Sequence, residues 1–183
     1  MKKILILAAI TLAAATTFAQ IPGAGMRDDV ASFEQDDNVY QLFKYTENEG
    51  SLSYYLSVGR VTKLLEMVRD DIESASFDHI DEVCLYMGQT PNEVFASLDT
   101  LQAYFDKKPG FTVEYPCRNT YGAEALAEDT AATCVVTKRF LQGKRLCFHY
   151  NTGRRTAEVD LTKTAVKALR SEYQFHRKIF PKD

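Results

Sequence analysis

The N-terminal segment constrains the fold most, because its residues are not expected to remain in the folded protein. Two lysines follow Met1, a mostly apolar stretch covers residues 4–15, and Ala19 is a small residue suited to cleavage. This pattern is typical of a bacterial secretory signal peptide, and the apolar stretch is too short to span a bilayer comfortably. We therefore predict a cleaved signal peptide over residues 1–19 and a soluble mature protein, periplasmic or secreted.

Export also bears on the four cysteines, because disulfides form and persist in oxidising compartments. Four cysteines can pair fully in three ways, between which a sequence does not decide. Cys117 and Cys134 flank a long connection between two predicted strands, and antiparallel pairing of those strands would bring them together. A Cys117–Cys134 disulfide is the favoured prediction. A different bridge and four unbridged thiols stay open.

Cleavage after residue 19 leaves 183 − 19 = 164 residues, which suits one domain with a proper core. Residues 20–29 contain two glycines and a proline without periodicity, which favours an irregular segment. We predict a flexible lead-in over residues 20–36 and a single domain over residues 37–183.

Hydrophobic periodicity within that domain predicts seven strands and three helices. Thr90, Pro91 and Glu93 match a capping box with proline at the first helical position, and Thr162 caps the last helix. The predicted strands cover residues 39–45, 51–58, 81–87, 111–117, 133–141, 145–150 and 154–161; the helices cover residues 60–73, 90–107 and 162–180. The predicted fold is α+β: a two-layer sandwich of a mainly antiparallel sheet with about three helices on one face.

Charge is distributed unevenly along the chain. Residues 20–106 carry 17 acidic and 5 basic side chains, and residues 107–183 carry 8 acidic and 15 basic ones. Folding can interleave the two segments, or they can give a bipolar surface that supports self-association. The formal net charge of −3 gives no support to nucleic-acid binding.

No catalytic or metal-binding motif appears, and no cofactor or metal is predicted. Two constellations remain as hypotheses: a nucleophilic Cys117 approached by His149, and a metal-binding cluster formed by Asp78, His79, Asp81 and Glu82. The first lacks the local signature of a cysteine hydrolase, and a solvated loop would explain the second equally well.

The favoured function is therefore an exported, non-catalytic domain that binds an unknown protein or small ligand. Its candidate binding residues are Arg118, Asn119 and Tyr121, on a connection predicted over residues 118–132, because loops held by rigid scaffolds often carry recognition. The alternative is an exported hydrolase that uses a Cys/His pair or paired carboxylates not evident from the sequence.

Overall fold

The structure, a computed structural model, describes residues 26–36, 38–47, 50–60, 82–118, 129–140, 143–151 and 156–181. These residues form eight strands and two helices. The strands are β1 (Met26–Gln35), β2 (Asn38–Thr46), β3 (Leu52–Arg60), β4 (Glu82–Gly88), β5 (Thr112–Arg118), β6 (Asp129–Arg139), β7 (Gly143–Asn151) and β8 (Thr156–Thr162); the helices are α1 (Pro91–Tyr104), between β4 and β5, and α2 (Lys163–Ile179), after β8.

The eight strands form one sheet in which every strand lies beside its neighbours in the chain, from β1 at one edge to β8 at the other. All seven pairings are antiparallel. The prediction of an α+β fold with an antiparallel sheet is confirmed. Of the three predicted helices, the first, over residues 60–73, lies outside the described residues except for Arg60. Arg60 ends β3 instead.

The predicted flexible lead-in over residues 20–36 is wrong for Met26–Gln35, which form β1 and pair with β2 along their length. A β-bulge at Val30 explains the missing sequence signal. The register shifts between Asp29 and Ala31, so the consecutive residues Val30 and Ala31 are both buried and the alternation of apolar residues is broken. The folded domain therefore includes β1 and does not begin at residue 37.

Both described helices begin as the sequence predicts. At α1, the Thr90 side chain accepts a hydrogen bond from the Glu93 amide, and the Glu93 carboxylate accepts one from the Thr90 amide at 3.1 Å. At α2, the Ala165 amide donates to the Thr162 hydroxyl at 3.0 Å. These bonds satisfy amides that have no partner within the helix.

The two helices contribute to the same hydrophobic core as the inner face of the sheet. The sheet curls so that β8 lies against β3 and β4. The core contains alternate residues of the strands and one stripe from each helix. Its largest fully buried side chains are Tyr40, Leu42, Tyr54, Leu56, Leu85, Met87, Leu98, Leu101, Leu146, Phe148, Leu161 and Tyr173.

The edge strands β1 and β8 are protected by α2 and by side-chain hydrogen bonds. The Tyr40 hydroxyl donates to the Asp160 carbonyl at 3.1 Å, and the Thr162 hydroxyl donates to the Gln35 side chain at 2.8 Å. Helix α2 lies along β1, where the Glu172 carboxylate accepts a hydrogen bond from the Ser32 amide at 3.0 Å. An edge amide that would otherwise be open to another strand is thereby occupied.

Candidate functional site

The outer face of the hairpin formed by β7 and β8 carries a group of polar side chains. Successive residues of a strand point to opposite faces, and Leu146, Phe148 and Tyr150 belong to the core on the inner face. Cys147 and His149 therefore lie together on the outer face. The register of the hairpin places Glu158 opposite His149 and Asp160 opposite Cys147.

Three of these side chains meet at one point. The Cys147 thiol donates a hydrogen bond to Glu158 Oε1 at 3.5 Å, and His149 Nδ1 lies 3.6 Å from Glu158 Oε2. One ligand atom from each of Cys147, His149 and Glu158 can be chosen so that all three lie within 4.8 Å of one another. Sulfur, imidazole nitrogen and carboxylate oxygen are the donor atoms that zinc takes in proteins.

The three side chains differ in access to solvent. Cys147 is buried, whereas the side chains of His149 and Glu158 are 43% and 53% exposed. Burial, together with the nearby carboxylates of Asp160 and Glu158, raises the pKa of the Cys147 thiol to about 12. The thiol is protonated at neutral pH, so the arrangement does not supply the thiolate that a cysteine nucleophile needs.

Asp160 borders this group and is only partly satisfied. Its Oδ2 atom lies 2.7 Å from Arg139 Nη2, whereas its buried Oδ1 atom makes no hydrogen bond to any described residue. The neighbouring Arg145 lies 3.5 Å from the Asp36 carboxylate at the turn between β1 and β2. A buried carboxylate oxygen without a partner is costly, and Asp160 is also one of the acidic groups that raise the pKa of the Cys147 thiol.

The predicted Cys117–Cys134 disulfide is wrong. All four cysteines lie within the described residues, and none forms a disulfide. The register of β5 and β6 places Cys134 opposite Val113 and Cys117 opposite Thr130, which separates the two cysteines by four residues, or about 13 Å. A disulfide needs Cα atoms within about 7 Å. The ladder extends to the pair Arg118 and Asp129, so the connection is shorter than predicted and both cysteines lie inside strands.

The structure does not bring Cys117 and His149 together. Cys117 belongs to the core on the inner face, whereas His149 lies on the outer face two strands away. The cysteine beside His149 is Cys147. A signal in the sequence could have identified this group: Cys147 and His149 point the same way on one predicted strand, and Glu158 and Asp160 do so on the next. Using that signal required the register of the hairpin.

Of the predicted binding residues, only Arg118 is described. It ends β5, where Nη1 lies 2.8 Å from Glu47 Oε1 and the guanidinium lies 5.6 Å from the centroid of the Tyr55 ring. Arg118 is thus held on the sheet, while Asn119 and Tyr121 lie outside the described residues. The hypothetical metal cluster of Asp78, His79, Asp81 and Glu82 also lies outside them, except that the backbone of Glu82 begins β4.

A second apolar cluster lies on the opposite half of the outer face. It contains Phe43, Tyr45, Tyr55 and Cys84, with Tyr86 packed against them. The Phe43 and Tyr55 rings stack at 5.7 Å, and the Arg27 guanidinium covers the Phe43 ring at 4.0 Å. The Phe43, Tyr45 and Tyr55 side chains are buried and act in packing.

The last turns of α2 expose large apolar side chains. Phe175, Ile179 and Phe180 are between 50% and 63% exposed. Phe175 and Ile179 are four residues apart and so are neighbours on one helix face, which differs from the face that buries Leu169 and Tyr173. His176, Arg177 and Lys178 add basic groups to the same turns.

Comparison with known proteins found no matching family model, no similar curated protein and no similar solved structure. Among the described residues, neither helix has the length and apolar character that crossing a membrane requires.

Proposed function

We propose that the protein is an exported bacterial protein, periplasmic or secreted, that works by binding another protein rather than by catalysis. In this proposal the curled sheet and its helices form a two-layer sandwich, and the exposed end of α2 is the contact surface. Export is supported by the signal-peptide pattern of residues 1–19.

The observation that carries the proposal is the concentration of exposed apolar side chains at the end of α2. Scattered exposed apolar residues are normal, but a contiguous group rimmed by polar residues is typical of a protein contact. Phe175, Ile179 and Phe180 lie within six residues, and Lys178 borders them. A basic rim favours a partner with acidic groups.

A second copy of the chain offers such groups. Asp28, Asp29 and Glu34 are exposed acidic residues on β1, and the basic end of α2 has the opposite charge. Head-to-tail association of two copies is therefore one form of the proposal, and a different acidic protein is the other. The overall negative charge does not favour nucleic acid as the partner.

An exported hydrolase is the second candidate, because Cys147, His149 and Glu158 are the residue types of a cysteine hydrolase and lie within reach of one another. That function requires a thiol that reacts at neutral pH. Rapid alkylation of Cys147 in the native protein would favour it.

The α2 surface can be tested by replacing Phe175 and Ile179 together with serine. The matched control is Phe140→Ser, which changes a 91% exposed aromatic residue at the turn after β6. Circular dichroism should first confirm that both proteins are folded. Sedimentation velocity should then give dimers or larger oligomers for the wild type and the control, and monomers for the double variant, if the partner is a second copy.

If the partner is a different protein, a photo-cross-linking residue at position 175 or 179, introduced in the producing bacterium, should give one defined adduct. The same residue at position 140 should give none. Wild-type protein that remains monomeric and forms no adduct at positions 175 and 179 would overturn the proposal.

A further inference from the structure

The geometry points to a zinc-binding site on the outer face of the β7–β8 hairpin, with Cys147, His149 and Glu158 as ligands. This site is independent of the α2 surface. Tetrahedral zinc with bonds of about 2.0 Å to nitrogen or oxygen and about 2.3 Å to sulfur separates its ligand atoms by about 3.3–3.5 Å. Cys147 Sγ lies 3.5 Å from Glu158 Oε1, and His149 Nδ1 lies 3.6 Å from the other carboxylate oxygen, Oε2. One ligand atom from each of the three residues lies within 4.8 Å of the other two, so small side-chain rotations bring them to this spacing.

The hairpin holds these ligands on a continuous antiparallel ladder. Backbone pairing runs from Arg145 opposite Thr162 to Asn151 opposite Thr156. On the inner face, Phe148 and Val159 are fully buried, which fixes the strands that carry the ligands. A site built on paired strands needs only small side-chain movements to bind an ion.

Asp160 supplies an independent observation. Its side chain is 7% exposed, and its Oδ1 atom has no hydrogen-bond partner among the described residues. Asp160 lies opposite Cys147 and points to the same face of β8 as Glu158, so its carboxyl group is beside the Cys147 end of the proposed site. Its other oxygen, Oδ2, lies 2.7 Å from Arg139 Nη2.

The charges of the site balance when a divalent ion binds. Zinc replaces the thiol proton of Cys147, which leaves to solvent, so a thiolate, a carboxylate and a neutral imidazole surround a 2+ ion. The pair of Asp160 and Arg139 is neutral by itself. Exposed edges of His149 and Glu158 leave a fourth position open to water, as in zinc sites with three protein ligands.

The donor set also selects among metals. Calcium and magnesium take oxygen ligands almost exclusively, whereas a thiolate with an imidazole suits zinc. The protein should bind zinc at one equivalent and should bind neither calcium nor magnesium at this site.

The experiment uses the mature chain, residues 20–183, purified under reducing conditions and freed of metal. Zinc is titrated in competition with a chromophoric chelator. Glu158→Gln and His149→Gln should each weaken binding by about tenfold or more, since even residues that only support metal ligands contribute that much. The matched controls are Glu114→Gln, on the outer face of β5, and His176→Gln, on α2; both should bind as the wild type does.

Cobalt(II) provides a second readout that depends on sulfur. The wild type should show a thiolate-to-cobalt charge-transfer band, and Cys147→Ser should lose it. If Cys147→Ser does not fold, the zinc affinities of the variants at the half-exposed residues Glu158 and His149 still decide the question. Wild-type zinc affinity no higher than that of the two ligand variants would overturn the inference, as would calcium or magnesium binding in preference to zinc.

Discussion

At Gly88, both the backbone conformation and the packing exclude a larger residue. Its φ is +121°, and a Cβ placed there would lie 2.4 Å from Glu93 Cβ. Glu93 is fixed by its capping hydrogen bonds, which include one from the Gln89 amide. The last residue of β4 must therefore be glycine both for its dihedral angle and for space.

Gly88→Ala should accordingly destabilise the protein by more than Gly50→Ala. Gly50 also has a positive φ, +83°, but no atom lies within 4 Å of a Cβ placed there. The left-handed conformation costs alanine about 1–2 kcal/mol at either position, and overpacking adds about 1–3 kcal/mol at Gly88 alone. Urea denaturation measures both free energies of unfolding, and equal losses would contradict the packing argument.

At the scale of elements, the first and last strands are joined by side chains and by α2 rather than by a backbone ladder. The buried Tyr40 hydroxyl spans from β2 to the Asp160 carbonyl on β8. Tyr173 on α2 is equally buried, and its hydroxyl lies near the Tyr54 side chain without forming a well-aligned hydrogen bond. The two tyrosines therefore form a matched pair.

Tyr40→Phe should lower the free energy of unfolding by about 1–2 kcal/mol, since it removes a buried hydrogen bond. Tyr173→Phe should cost less stability than Tyr40→Phe, because the Tyr173 hydroxyl makes no well-aligned hydrogen bond. Thermal unfolding followed by circular dichroism compares them. A larger loss for Tyr173→Phe than for Tyr40→Phe would show that the Tyr40 bridge does not hold β8 in place.

Elements with strong local signals could be predicted from the sequence, and those set by long-range pairing could not. The caps at Thr90 and Thr162 and the alternation in β7 and β8 depend on neighbouring residues. Strand β1 was missed because a bulge at Val30 breaks its alternation. The group of Cys147, His149 and Glu158 depends on hairpin register, which no local pattern specifies.

At the scale of the whole molecule, the core holds the fold without covalent cross-links. The four cysteines are buried and unbridged, and burial raises the pKa of Cys134 and Cys147 to about 12 in each case. The disulfide prediction followed from the oxidising compartment, but strand register determines which thiols can meet.

Native protein should therefore resist alkylation at pH 7, and protein unfolded without reductant should gain four alkyl groups, one for each cysteine. Mass spectrometry counts them. A pair of cysteines that becomes reactive only after reduction would contradict the unbridged arrangement, and fast native labelling of Cys147 would favour the hydrolase alternative.

X-ray absorption at the zinc edge tests the central claim most directly: that one thiol, one imidazole and one carboxylate of the β7–β8 hairpin form a binding site. Measured on the mature protein with one equivalent of zinc, the first shell should contain a single sulfur at about 2.3 Å and nitrogen or oxygen atoms at about 2.0–2.2 Å. A first shell without sulfur, or with two or more sulfur atoms, would contradict the claim.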